Sequence, residues 1–224
     1  MKPELLLPAG CPTSAKAAIT AGADAIYLGG KHFNARNNAT NFSDMEIEAI
    51  IDFAALRGVK VYITVNTLYS DSELHRVGEF VWNMYKAGAA AFILQDIGLA
   101  HVLKNWLPEV ELHASTQMTV HSTAGVNYMQ KAGFSRVILS RELSMEEISE
   151  INENTTMQTE VFAHGALCVS YSGQCLLSSM VGGRSGNRGK CAQPCRLSYD
   201  LLKNACQLHV AAECISNLKA SRHY

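Results

Sequence analysis

TAGADAIYLG (residues 20–29), KAGAAAFILQ (86–95) and KAGFSRVILS (131–140) repeat one device, a helix end closed by Ala-Gly and followed at once by a hydrophobic strand. Working outward from these, Glu4 to Pro8 reads as a first strand. Thr13 and Ser14 are expected to cap a helix through Ala21, and Ala25 to Leu28 is the strand after it. The unit recurs: Ser43 to Leu56 then Val59 to Val65, Ser72 to Lys86 then Phe92 to Leu94, Gly98 to Leu107 then Glu111 to Ser115. Ser122 to Lys131 then Val137 to Leu139, and Ser144 to Glu150 then Glu160 to Ala163, complete seven strands with six helices between them. Alternation of this kind is the sign of a parallel sheet covered by helices.

The strands carry their polar residues at their C-terminal ends: Asn66, Gln95 with Asp96, His113 with Ser115 and Gln117, Arg141 with Glu142, and Glu160 with His164. In a (β/α) barrel those ends line the mouth where active sites lie. A doubly wound open sheet gives a similar alternation, but PAGCPTS after the first strand lacks the G-x-G-x-x-G spacing of a dinucleotide loop. The expected fold class is therefore α/β, a TIM-barrel-like domain. The residues after Lys203 supply at most one helix, so the barrel is expected to be incomplete or irregularly closed. We divide the chain into barrel repeats (1–166), a cysteine-rich loop (167–203) and an atypical tail (204–224), and expect a partner subunit or a further C-terminal region to complete it.

The 224 residues are 48% hydrophobic and 17% charged, enough apolar surface for a sizeable core and too little charge for a disordered chain. A formal net charge of −1 excludes binding to nucleic acid or membrane by bulk charge, so any basic site is local. No stretch reaches membrane-span length, and MKPELLLPAG is not built as a signal peptide, which points to a cytoplasmic address. Cysteines there are expected to be thiols, which raises metal or redox chemistry above structural disulfides.

Of seven cysteines, Cys11 stands alone, whereas Cys168, Cys175, Cys191 and Cys195 fall within 28 residues among Gly, Ser and Pro. Thiolates suit zinc or iron-sulfur, and the spacings C-x6-C and C-x3-C do not match the C-x2-C knuckle of most structural zinc sites. Iron-sulfur is favoured; zinc, or no metal with the thiols simply buried, remains the alternative. Beside them Arg184, Arg188, Lys190 and Arg196 share a 16-residue window without an acid, interleaved with glycines, as suits a phosphate-contacting loop or an ordinary solvated one. Asn34 and Arg36, in KHFNARNNA after the second strand, and His113 are candidates for substrate contact at the mouth. Glu160 and His164 are candidates for acid/base work, and a Cys168–His164 pair would be a protease's nucleophile and base.

The stretch EVFAHGALCVSYSGQCLLS (160–178) resembles the signature of the peptidase U32 family, the collagenase-like proteins, and GGRSGNRGKCAQPCR (182–196) resembles that family's next block. The resemblance runs from LLLPAG to about Lys203. It implies a barrel-like N-terminal domain of a longer protein and a [4Fe-4S] cluster on cysteines. It also implies oxygen-independent hydroxylation of RNA, a tRNA wobble uridine first and ribosomal RNA beside it; the local charge of the basic loop, for its part, suits contact with a tRNA. Peptidase activity and ubiquinone-ring hydroxylation are the alternative activities. Cys168, Cys175 and Cys191 fall on family cluster positions, with Cys195 the nearest fourth ligand and Cys206 or Cys214 its alternatives.

Overall fold

Seven parallel strands follow one another across a single sheet in chain order, each joined to the next by a helix. They are β1 (Leu6–Pro8), β2 (Ala25–Gly29), β3 (Lys60–Val65), β4 (Ala91–Leu94), β5 (Leu112–Ala114), β6 (Arg136–Ile138) and β7 (Gln158–Glu160). Between them run α1 (Pro12–Thr20), α2 (Asp44–Ala55), α3 (Asp71–Lys86), α4 (Ile97–Trp106), α5 (Thr123–Lys131) and α6 (Met145–Glu153). The computed structural model describes residues 2–36, 39–165 and 168–199, and the backbone of 202–203, 206–207 and 213–214. The helix expected in the tail lies outside the described residues.

Local signals set most of these boundaries. Gly22, Gly88 and Gly133 of the repeated device take φ of 97°, 101° and 92°, the left-handed stop that a side chain would resist, and the chain then turns straight into a strand. Two caps differ from expectation. Pro12 opens α1, so Cys11 is its N-cap, and Ser14 is instead the residue whose Oγ accepts from the Cys11 N–H at 3.1 Å. In α3 the cap is Ser70, whose N–H donates to Glu73 at 2.9 Å. The last strand is also displaced: it ends at Glu160 rather than beginning there. Gln158, Thr159 and Glu160 pair with Arg136, Val137 and Ile138, while Val161 and Phe162 are exposed.

The two faces of the sheet differ: the outer is apolar, and the inner mixes an apolar patch with polar and charged residues. The outer face and the helices bury the main core, including Ile26, Leu28, Ile63, Phe92 and Leu112. The inner face packs Ala25, Tyr62, Ala91, Ile93 and Ile138 against one another. One inner row runs through Gly29, Thr64, Ile93, His113, Arg136 and Gln158, so that the last residue of β2 is level with the first of β6. That stagger is the strand tilt that curls a sheet into a barrel. The curl brings Glu4, just before β1, to within 2.7 Å of Arg136 on β6. β1 and β7 remain the sheet's two edges, so the structure is a curled half-barrel, as the strand count implied.

A cysteine strap over the strand ends

After β7 the chain lays the cysteine segment across the C-terminal ends of the strands. One end is fastened beside β5 and β6. The buried Ser172 donates from its N–H and Oγ to Glu142 (3.0 and 3.1 Å), accepts from Arg141 Nε (3.1 Å), and its carbonyl accepts from the Thr119 hydroxyl (2.7 Å). Next to it Gly173 has φ of 72°, and a Cβ there would stand 2.0 Å from the Gln117 carbonyl oxygen. Only glycine lets the strap lie this close. The other end is fastened beside β3. Leu68 N–H donates to the Asn187 carbonyl (3.2 Å), and Arg188 donates to the Leu68 carbonyl (2.7 Å) and to both oxygens of Glu73 (2.9 and 2.8 Å).

Between the fastenings lies α7 (Leu177–Gly182). Its buried Ser178 accepts from the Ala192 N–H at 2.9 Å, which ties the Cys168/Cys175 half of the strap to the Cys191/Cys195 half. The thiols come near enough to act on one another. Burial raises the Cys195 pKa, and the neighbouring Cys168, Cys191 and Cys175 raise it further against the pull of Arg196. Cys191 Sγ also accepts from the Gln193 N–H at 3.4 Å. Among the described residues no three His, Cys, Asp or Glu side chains surround a single ion. Thiols carried on one strap are soft donors of the kind that zinc or an iron-sulfur cluster takes. Cys206 and Cys214 lie where side chains are outside the described residues.

The other sequence candidates divide. Arg188 is engaged by Glu73 and so is an anchor of the strap. No acid lies near it in the sequence; the fold supplies one from α3. Arg184 (whose Nε donates to the Lys190 carbonyl at 3.1 Å), Lys190 and Arg196 are exposed on the same loop. Arg36 is exposed above the mouth, and its charge acts on Tyr27 of β2. Asn34 is buried; its Nδ2 donates to the Gly30 carbonyl and its Oδ1 accepts from Arg36 N–H (2.7 Å), so it shapes the loop that presents Arg36. Two buried acceptors at the strand ends, Gln95 Oε1 and Ser140 Oγ, have no hydrogen-bond partner among the described residues. They mark where a polar ligand would be satisfied.

His113 is 1% exposed and does not reach the mouth. Its ring meets the Tyr62 edge 4.8 Å away inside the barrel, and burial, with Arg136 adding, depresses its pKa to about 3. Glu160 is also inside. Burial raises its pKa to about 7 despite Arg136 at 3.6 Å, a gap too long for a hydrogen bond, and Oε2 is left without one. His164 is exposed and makes no hydrogen bond or ion pair among the described residues, so the two acid/base candidates are not brought together. Glu4 and Arg136 escaped the sequence reading. The signal was there, as three consecutive strands each carry a polar residue at the same inward level, His113, Arg136 and Gln158.

Proteins of this class, parallel (β/α) sheets curled towards a barrel, carry their chemistry at the strand C-termini. Within it this chain belongs to peptidase family U32, whose profile matches residues 10–222. It is 43% identical over 198 residues to the 23S rRNA 5-hydroxycytidine C2501 synthase of Escherichia coli K12, covering 88% of this chain and 30% of that protein. It is 38% identical over 200 residues to the tRNA hydroxylation protein P1 of Bacillus subtilis 168 (89% and 47%). A protein named Collagenase from Porphyromonas gingivalis W83 is 35% identical over 208 residues (88% and 50%). The chain thus spans at most half the length of these relatives. Among solved structures, the U32 peptidase Mk0906 superposes with a TM-score of 0.59 at 15% identity, covering 72% of this chain and 70% of that one. No helix among the described residues is long and apolar enough to cross a membrane.

Proposed function

We propose that this chain is the barrel part of an RNA-modifying enzyme that hydroxylates a pyrimidine of RNA without molecular oxygen, with a tRNA wobble uridine as the first candidate. The carrying observation is the strap, which holds Cys168, Cys175, Cys191 and Cys195 together over the strand ends where the fold family works. Relatives named for tRNA and rRNA hydroxylation support the reaction class. A [4Fe-4S] cluster on these four thiolates would supply one-electron chemistry beside the substrate. Arg184, Lys190 and Arg196 would meet RNA phosphates next to it, and Arg36 would reach the mouth from the far side. The peptidase reading has a relative's name behind it, but Cys168 and His164, the nucleophile and base it would use, are both exposed and make no hydrogen bond to one another.

The test is to purify the full protein without oxygen and analyse RNA nucleosides by mass spectrometry from cells with and without it. Brown, dithionite-bleachable protein and a pyrimidine that gains one oxygen only in its presence are expected. Colourless protein that releases peptides from gelatin would overturn the reading.

A further inference from the structure

Beneath the strap, strands from around the curl point charged and polar side chains into one interior space. Glu4 enters ahead of β1, Tyr27 from β2, Tyr62 from β3, His113 from β5, Arg136 from β6 and Glu160 from β7. A single buried guanidinium stands among them, and its donors are unequally shared. Nη1 donates to Glu4 Oε1 at 2.7 Å, while Nε and Nη2 donate to Gln158 Oε1 at 3.2 and 2.9 Å. Glu4 is also held by the Tyr62 hydroxyl (2.9 Å) and by Lys60 Nζ (3.1 Å). Glu160 receives none of these bonds. Its Oε2 is sealed from solvent 3.6 Å from Nη1.

We infer that Glu4 and Glu160 form an unequal carboxyl pair around Arg136, in which Glu4 holds the guanidinium as a carboxylate and Glu160 is left as the interior's exchangeable proton site. The physics is competition. Arg136 neutralises one carboxylate, and a second negative charge beside an already neutral pair, removed from water, is unfavourable unless protonated. Burial raises the proton affinity of Glu160 most, Arg136 lowers it without overcoming burial, and Glu4 raises it again; Tyr27 opposite is a neutral phenol at physiological pH, and burial lifts its pKa further. Glu4 goes the other way: burial would raise it, but the hydrogen bonds from Arg136, Tyr62 and Lys60 hold it at about 2. Resting on the hydroxylation reading, Glu160 is then the acid that gives its carboxyl proton to a reacting oxygen or nitrogen from Oε1, Oε2 being the sealed oxygen beside Arg136, and takes it back as carboxylate. Glu4 and Arg136 are positioning residues for that step.

The test needs no RNA, so its failure is distinguishable from failure of the functional reading. Glutamate carboxyls of the full protein, labelled with carbon-13, are titrated by NMR, with E160Q identifying the Glu160 signal. A midpoint near pH 7 is expected in the wild type. In E4Q, which keeps size and removes the competing charge, Arg136 turns to Glu160 and the midpoint falls by roughly one to three pH units. A wild-type midpoint in the ordinary carboxylate range overturns the inference, as does a folded E4Q in which Glu160 does not move. The wild-type titration decides by itself if E4Q does not fold.

Discussion

Arg188 of the strap and Glu73 of α3 are joined by two parallel hydrogen bonds, at 2.8 and 2.9 Å, across 115 residues of sequence. Glu73 is at the same time the carboxylate that caps its own helix through the Ser70 N–H and hydroxyl (2.9 and 2.7 Å). The Arg188 guanidinium, with Ser70, holds its pKa at about 2. One side chain thus finishes a helix and fastens the cysteine segment.

R188A should therefore free the β3 end of the strap without unfolding the barrel. The pair is part-exposed, so the global loss is about 1 kcal/mol or less. Amide exchange across residues 183–190 should quicken by more than exchange in β3 or β4. Equal protection in both proteins would show that the pair is ornamental to the strap.

G173A should be far more damaging than its size suggests. The added methyl would overlap the Gln117 carbonyl and also resist the positive φ, at a cost of a few kcal/mol. The strap must lift, so iron bound after anaerobic reconstitution should drop sharply while circular dichroism of the barrel stays close to wild type. Wild-type iron content in G173A would refute this seating.

Single alanine substitutions at Cys168, Cys175, Cys191 and Cys195 should each abolish or destabilise the visible chromophore, because each removes a thiolate anchor. C11A should leave the chromophore intact, since Cys11 belongs to the β1–α1 turn, where its thiol is turned to the Ser14 hydroxyl at 3.5 Å. Elemental analysis for iron and zinc with visible spectra of the five variants would settle the ligand set. Full colour in C195A would move the fourth ligand elsewhere.

Binding to tRNA should weaken as salt rises, and alanine at Arg184 or Lys190 should each reduce the slope of log K against log salt by just under one unit. R188A should change it least, since Glu73 already neutralises that charge. Fluorescence anisotropy between low and moderate salt measures all three; an Arg188 effect as large as that of Arg184 would contradict the assignment of the anchor.

Stability should carry two opposed pH dependences. Folded Glu160 keeps its proton to about pH 7, while unfolded it loses it near its ordinary 4.5. Between these values the folded state binds more protons, so its stabilising contribution is complete below 4.5 and declines as pH rises to 7, by up to about 3 kcal/mol. His113 runs the other way: neutral when folded down to about pH 3 but protonated below 6.5 when unfolded, it costs stability as pH falls through that window. E160Q should abolish the loss on the alkaline side, and urea midpoints across pH 4 to 8 would show it. A wild-type midpoint that rises between pH 5 and 7 with a slope E160Q leaves unchanged would contradict the Glu160 assignment.

How much of this was legible beforehand depends on the range of the interaction. The Ala-Gly stops, the Ser43 and Ser144 caps and the alternation of apolar runs are local, so seven strands with helices between them could be read directly, whereas their order across the sheet rested on preferring a barrel to a doubly wound sheet. The clustered cysteines were equally plain. The start of β7 was misplaced because EVFA is as apolar as the other strands, yet pairing with β6 is decided by where α6 returns the chain. Arg188 was placed with the phosphate-binding cations because the acid that engages it is on another helix.

The sequence by itself determined the βα repeat, its seven strands and the segment that carries the thiols, since those follow from period, caps and composition within a few residues. Only the tertiary structure decided that the strap is seated on Gln117 and latched on Glu73. It alone put His113 inside, and it alone made Glu4 rather than Glu160 the owner of Arg136. Those outcomes turn on strand tilt, which sets levels across the sheet, and on burial, which decides what a charge costs; neither exists until chain segments more than a hundred residues apart have met.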